Sequence, residues 1–203
     1  FGAVLADLGV SSLQLDAPER GFGIRSPERL DMRMGDGCPE DALQLIERLD
    51  ETALAEVIWR YGEERLSRRI ARVLKQAVAA GTTSALGCAE AIRAGVRGHQ
   101  PRHPALRTFQ ALRIAVNDEL GQLEHLLARL PRLLRPGGVG VIISFHSLED
   151  RLVKQAFRGA RQAGIYQTIS KKVVTAGADE RRRNRRAQPA KLRWARLHEE
   201  HAA

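Results

Sequence analysis

Leu133-Leu134-Arg135-Pro136-Gly137-Gly138, running into Val139-Gly140-Val141-Ile142-Ile143-Ser144-Phe145, decides the fold class of this chain. A helical pattern stops at a Pro-Gly-Gly turn, and a short, bounded apolar run follows that reads as a buried strand. Beyond it the spacing predicts a helix from Leu148 to about Ala160, then strands over about 165–174 and 190–197 flanking a very basic loop. Helix, turn, buried strand, helix and two adjacent strands make the closing half of a doubly wound α/β sheet, with the last pair an antiparallel hairpin.

Upstream, residues 3–7 read as another buried strand, which ends on Asp7. Loops leaving the carboxyl ends of strands line the ligand crevice of such sheets. The loop over 8–37 is punctuated by Pro18, Gly21, Gly23, Pro27, Gly35 and Gly37, and loops of that length are usually functional. Between the sheet segments the period is helical. Helices are expected over 39–49 with Pro39 at the first position, from Asp50 to Gly62, from Glu63 to Ala80, and from a cap at Thr83 or Ser84 to Gly95. A longer helical stretch holds Phe109, Leu112, Val116, Leu120 and Leu123, weakened at Gly121. The expected division is 1–37 and 101–203 in the sheet domain, with 38–100 an inserted helical domain. Because the chain opens on Phe1 inside a strand, it is expected to be N-terminally truncated.

Lys and Arg number 33 against 24 Asp and Glu, for a net charge of +9. Arginine pairs bidentately with phosphate, so a polyanion such as RNA is the natural partner, although arginine-rich codon usage gives the same composition. Two cysteines without paired spacing argue against a disulfide framework or a zinc site and fit a reducing, cytoplasmic setting. No apolar run is long enough to span a membrane.

Ser144, His146 and the carboxylates after them invite a hydrolase reading. Ser144 and His146 start roughly 7 Å apart on one strand face, and no Gly-x-Ser-x-Gly elbow is present. Ser147 with Asp150 fits a helix capping box, leaving His146 as a crevice residue. His99 and His103 have helical spacing but sit among Pro101 and Pro104, so no metal is expected. Arg181-Arg182-Arg183-Asn184-Arg185-Arg186 is either a solvated loop or a phosphate grip, and Arg97, Arg102, Arg107 and Arg113 form a second basic cluster.

Asp7–Asp16, Glu19–Phe22, Leu30–Met34, Tyr61–Arg65, Arg107–Asn117, Ile143–Arg151 and Pro189–Arg193 together resemble the RsmH (MraW) family, in order and over nearly the whole chain. These are S-adenosylmethionine-dependent cytosine N4-methyltransferases of 16S rRNA in the small ribosomal subunit. The resemblance implies a Rossmann-like methyltransferase domain with an inserted helical domain. It assigns Asp7 and Gln14 to the methyl donor. The family's glycine-rich donor loop lies upstream of these residues, so a non-catalytic RNA-binding fragment is the alternative. Leu13 stands where proline is common in the family, and Asn184–Pro189 departs from its usual closing loop.

Cytosine's exocyclic amine is a weak nucleophile and must be oriented and offered an acceptor. Ser11 and Ser12 are the expected acceptors, with His146 orienting a flipped base and Phe22 stacking on it. Arg33 either contacts RNA or pins the loop through Asp31. Arg113 and Asn117 are the members of their helix considered for the RNA site, and Arg182, Arg183 and Arg185 for its phosphates.

Overall fold

The computed structural model describes residues 1–11, 14, 17–96 and 103–199. In chain order the elements are β1 (Ala3–Asp7), α1 (Ala42–Arg48), α2 (Glu51–Gly62), α3 (Ser67–Ala79), α4 (Ala85–Gly95), α5 (Ala105–Asn117), α6 (Glu119–Leu133), β2 (Val139–Ser144), α7 (Ser147–Gln162), β3 (Tyr166–Ile169), β4 (Val174–Thr175), α8 (Ala178–Arg183) and β5 (Lys191–Leu197). The protein is mixed α/β and divides into two compact units, Phe1–Gly9 with Leu120–Ala203, and Val10–Glu119. No helix among the described residues is long and apolar enough to cross a membrane.

The first unit is built on a sheet of order β1-β2-β5-β3, with β4 also on β5. β1 and β2 are parallel, with Asp7 opposite Ile143, and β5 runs antiparallel to β2, β3 and β4. The turn that decides the fold class is of type II pattern: Gly138 N–H bonds to the Arg135 carbonyl at 2.8 Å, with Pro136 second and Gly137 third at φ +71°. α6 places Leu123, Leu127 and Leu130 at helical spacing, and Leu134 just past its end, in the core with Ile142, Val153, Phe157, Tyr166, Ala195 and Leu197. Gly140 gives Leu130 room there, because a Cβ would meet the end of its side chain at 2.7 Å and push it aside. Phe157 and Tyr166 pack edge to face at 5.6 Å, and burial pushes the Tyr166 phenol up to about 12.

Register places Gly140, Ile142, Arg193, Ala195, Leu197 and Tyr166 on one sheet face, where α6 and α7 pack. Within this unit no second helical layer covers the other face among the described residues. β1 is therefore less buried than its apolar sequence suggests, with Leu5 65% exposed.

The second unit is helical around one apolar core drawn from Leu30, Met32, α1 to α5 and Phe22. Three helix starts follow local cap chemistry: Asp41 with Gln44 in a capping box, Asp50 bonded to Ala53 N–H, and Ser84 bonded to Gly87 N–H. α1 thus begins three residues after Pro39, and α3 begins at Ser67 because Glu63 turns left-handed at φ 49°. The expected long helix breaks at Asp118 (φ 47°) rather than Gly121, giving α5 and α6. The strand expected over 165–174 is two short pieces, and part of the basic loop is the helix α8.

Candidate active site

In the sheet unit, β1 and β2 end side by side. Leu8 N–H continues the ladder to the Ile143 carbonyl at 3.0 Å, and Gly9 turns at φ +87° beside the Phe145 ring. Asp7 is exposed at this double strand end and makes no ion pair with any described residue. In a chain carrying +9, Asp7 is thus a carboxylate without a cation among the described residues, at the point where two parallel strands end.

His146 lies in the same unit, and the capping box there is one residue earlier than the expected Ser147–Asp150 pair. His146 is the cap and Glu149 its partner. Glu149 N–H donates to His146 Nδ1 at 3.4 Å, while the Glu149 carboxylate accepts from Phe145 N–H at 2.8 Å and His146 N–H at 3.2 Å. Burial alone would raise the Glu149 carboxyl, but the His146 interaction and these backbone donors hold it below the ordinary range. The ring, its side chain 9% exposed, sits with Nε2 3.3 Å from Glu149 Oε1. Glu149 thus holds the His146 ring through Nδ1, while the buried Nε2 makes no hydrogen bond among the described residues. Asp150 is taken by Arg193 at 2.7 Å and by Lys191 at 3.9 Å, tying α7 to β5.

The other site residues belong to the helical unit or to the basic segment. Ser11 and Gln14 bond reciprocally, Ser11 N–H to Gln14 Oε1 at 2.9 Å and Gln14 N–H to Ser11 Oγ at 3.2 Å. Gln14 Nε2 donates to the Met34 carbonyl, which also accepts from Arg20. Asn117 holds Met34 in turn: its Oδ1 accepts from Met34 N–H at 2.7 Å and Cys38 Sγ at 3.2 Å, while its Nδ2 donates to the Met32 and Arg113 carbonyls. Of the two readings left for Arg33, the structure has the ion pair, with both Asp31 oxygens at 2.8 Å. Arg113 is bidentate to Glu119. Phe22 is 8% exposed and packed in the core, so its ring is not offered to a base.

Tyr61–Arg65 and Arg107–Asn117 lock to each other. A Cβ on Gly62 would meet the Arg107 carbonyl at 2.7 Å, and Gln110 Nε2 donates to the Tyr61 carbonyl at 3.0 Å. Sequence reading misses this, and it misses the Asn117 and Glu149 networks, because each joins a side chain to backbone groups that no side-chain pattern advertises. Arg182, Arg183 and Arg185 lie in a fully exposed segment, where Arg182 pairs with Asp179. Ser12, Arg97, His99, Pro101 and Arg102 lie outside the described residues.

A mixed α/β protein with an exposed carboxylate where parallel strands end is consistent with a methyltransferase. The chain belongs to the MraW methylase family, which it matches over residues 1–198. It is 54% identical to ribosomal RNA small subunit methyltransferase H of Sorangium cellulosum, over 95% of this chain and 61% of that protein. The proteins of the same name from Acidobacterium capsulatum and a Synechocystis species are each 50% identical, over 95% and 96% of this chain and 65% and 63% of their own lengths. The chain spans a little under two thirds of these relatives.

Proposed function

We propose that the whole protein transfers a methyl group from S-adenosylmethionine to N4 of a cytidine in the decoding region of 16S rRNA. The reading rests on family membership and on relatives named for small-subunit rRNA methylation. It takes residues 1–37 and 101–203 as a Rossmann-like methyltransferase domain, with 38–100 inserted, working on ribosomal RNA in the cytoplasm.

The observation that carries it is Asp7, an exposed carboxylate with no protein cation among the described residues. A donor bearing a sulfonium and an ammonium group fits such a residue, and Gln14 is the second donor contact. When bound, the donor supplies an electrophilic methyl carbon. The chain's own residues orient the amine. A bound donor would supply its methyl group to N4 and would leave as its neutral thioether, and the proton given up by the amine would pass to solvent water. Acceptors in the Ser11–Ser12 segment take the N–H hydrogen bond, and His146 acts as a positioning residue because its ring is already held by Glu149. Arg182, Arg183 and Arg185 meet RNA phosphates. Arg33, Arg113 and Asn117 are engaged within the protein and act by fixing the loop.

The test uses the full-length protein with methyl-labelled donor and small ribosomal subunits lacking the modification. Label is expected in one cytidine as N4-methylcytidine, and Asp7→Asn should weaken donor binding about tenfold, roughly 1.4 kcal/mol. RNA binding without label transfer would overturn the reading in favour of a non-catalytic RNA-binding protein.

A further inference from the structure

Most arginines with a defined role in this protein already have a carboxylate: Arg29 with Asp41, Arg48 with Glu40, Arg193 with Asp150. In the sheet unit, three cations around one hollow have none among the described residues. Where the last turns of α7 cross the end of β3, a hollow of about 470 Å³ opens to solvent, lined by Arg158, Arg161, Gln162, Ile169, Ser170 and Lys171. None of the three cations pairs with a carboxylate among the described residues.

The hollow stands on fixed ground. Ser170 N–H donates to the Trp194 carbonyl at 2.8 Å and Ser170 Oγ accepts from Trp194 N–H at 3.3 Å, so Lys171 leaves from an anchored residue. The Phe157–Tyr166 ring contact holds α7 against β3 below. Three like charges around one hollow raise the local positive potential, and an anion with several oxygens relieves it. Guanidinium forks suit phosphate oxygens, and the Gln162 amide and Ser170 hydroxyl suit the ester or sugar oxygens beside them.

Along the chain, more cations follow the hollow. β2 occupies one side of β5 along its length, so β3 and β4 share the other side. The chain between them carries Lys171 and Lys172 from the level of Trp194 to that of Lys191, about 10 Å along β5. It leads on to the exposed cations Arg181, Arg183 and Arg185. An open, edge-running basic track suits a passing strand better than a small enclosed ligand.

We propose that the hollow formed by Arg158, Arg161 and Lys171 is a backbone-phosphate subsite for the RNA substrate, about three strand spacings (~14 Å) across the sheet from Asp7. The proposal rests on the RNA-substrate reading above, and a separate outcome tests each. The experiment titrates full-length protein and the triple variant Arg158→Gln/Arg161→Gln/Lys171→Gln with a labelled 16S rRNA decoding fragment at several KCl concentrations. The triple variant should bind at least tenfold more weakly at low salt. Its plot of log affinity against log salt should be shallower by about 1.4–2.1, some 0.7 for each single-strand phosphate that the protein no longer neutralises, while donor affinity stays unchanged.

The single exposed variant Lys171→Gln should give about a third of that change and guards against misfolding of the triple. Unchanged slope and affinity in both, with wild type binding RNA, overturns the subsite. Inorganic phosphate binding that only the triple loses, with RNA binding intact, overturns it as a small-anion site instead. Wild type failing to bind RNA overturns the function and not this geometry alone.

Discussion

Two irregular, charged regions look alike in composition and differ in kind. The segment 20–38 and the segment 177–190 both mix arginines with small residues; the first reads as part of an active-site loop and the second as either a solvated loop or a phosphate grip. In the first, Arg20 donates to the Arg33 and Met34 carbonyls, Asn117 brackets Met32 and Met34, and Phe22, Leu30 and Met32 are buried. In the second, the described contacts are local, such as Arg182 with Asp179 and the Asn184 side chain with Arg186 N–H, and residues 178–186 are exposed. What separates them is where the backbone carbonyls and the arginines find partners. Charge whose partners lie inside the unit is scaffold, and charge such as that of Arg181, Arg183 and Arg185, which pairs with no carboxylate among the described residues, is available to a polyanion.

The sharpest way to break that contrast is Gly21→Ala. Gly21 has φ +64°, and a Cβ there would sit 2.2 Å from the Arg29 carbonyl and 2.7 Å from Asp31 N. The strain should cost at least about 3 kcal/mol in urea unfolding. A loss under about 1 kcal/mol, the range of an ordinary substitution, would mean the first segment is as loose as the second.

A smaller effect is expected at Asp31. The Arg33 hydrogen bonds hold its carboxyl below the ordinary range. Its contribution is therefore complete above the unfolded-chain value of about 3.9 and is lost as pH falls through the lower folded value. Both side chains are partly exposed, so the contribution is under about 1 kcal/mol. Asp31→Asn should flatten the acid limb of stability by that amount, and an unchanged limb would remove Asp31 from the scaffold.

The smallest effect on stability belongs to the second segment. Arg181→Gln/Arg183→Gln/Arg185→Gln should leave the melting free energy within about 0.5 kcal/mol, as exposed changes do, while flattening the salt dependence of RNA binding. A large loss of stability would show that these arginines hold structure.

Much of the architecture is legible where the signal is local. Asp50 and Ser84 cap their helices as their positions predict, the Pro-Gly-Gly turn ends α6, and β2 follows it. The break at Asp118 is hidden because an aspartate takes the left-handed turn that Gly121 is better suited to supply. The cap of α7 falls one residue earlier than expected because Glu149 reaches two backbone donors at once. Asn117 reads from sequence as a residue for RNA, yet its partner Met32 lies 85 residues away along the chain. Such links between a side chain and a distant carbonyl leave no periodicity to find.

The chain has two tryptophans, and the division into units gives one to each. Trp59 on α2 is 57% exposed, while Trp194 on β5 is half-buried beside Ser170. Within this chain, Trp59→Phe leaves tryptophan fluorescence, excited beyond the tyrosine band, from the sheet unit alone, and Trp194→Phe leaves it from the helical unit alone. This stretch of chain thus carries its own pair of optical labels, from which the order in which the two units unfold can be read without adding a dye.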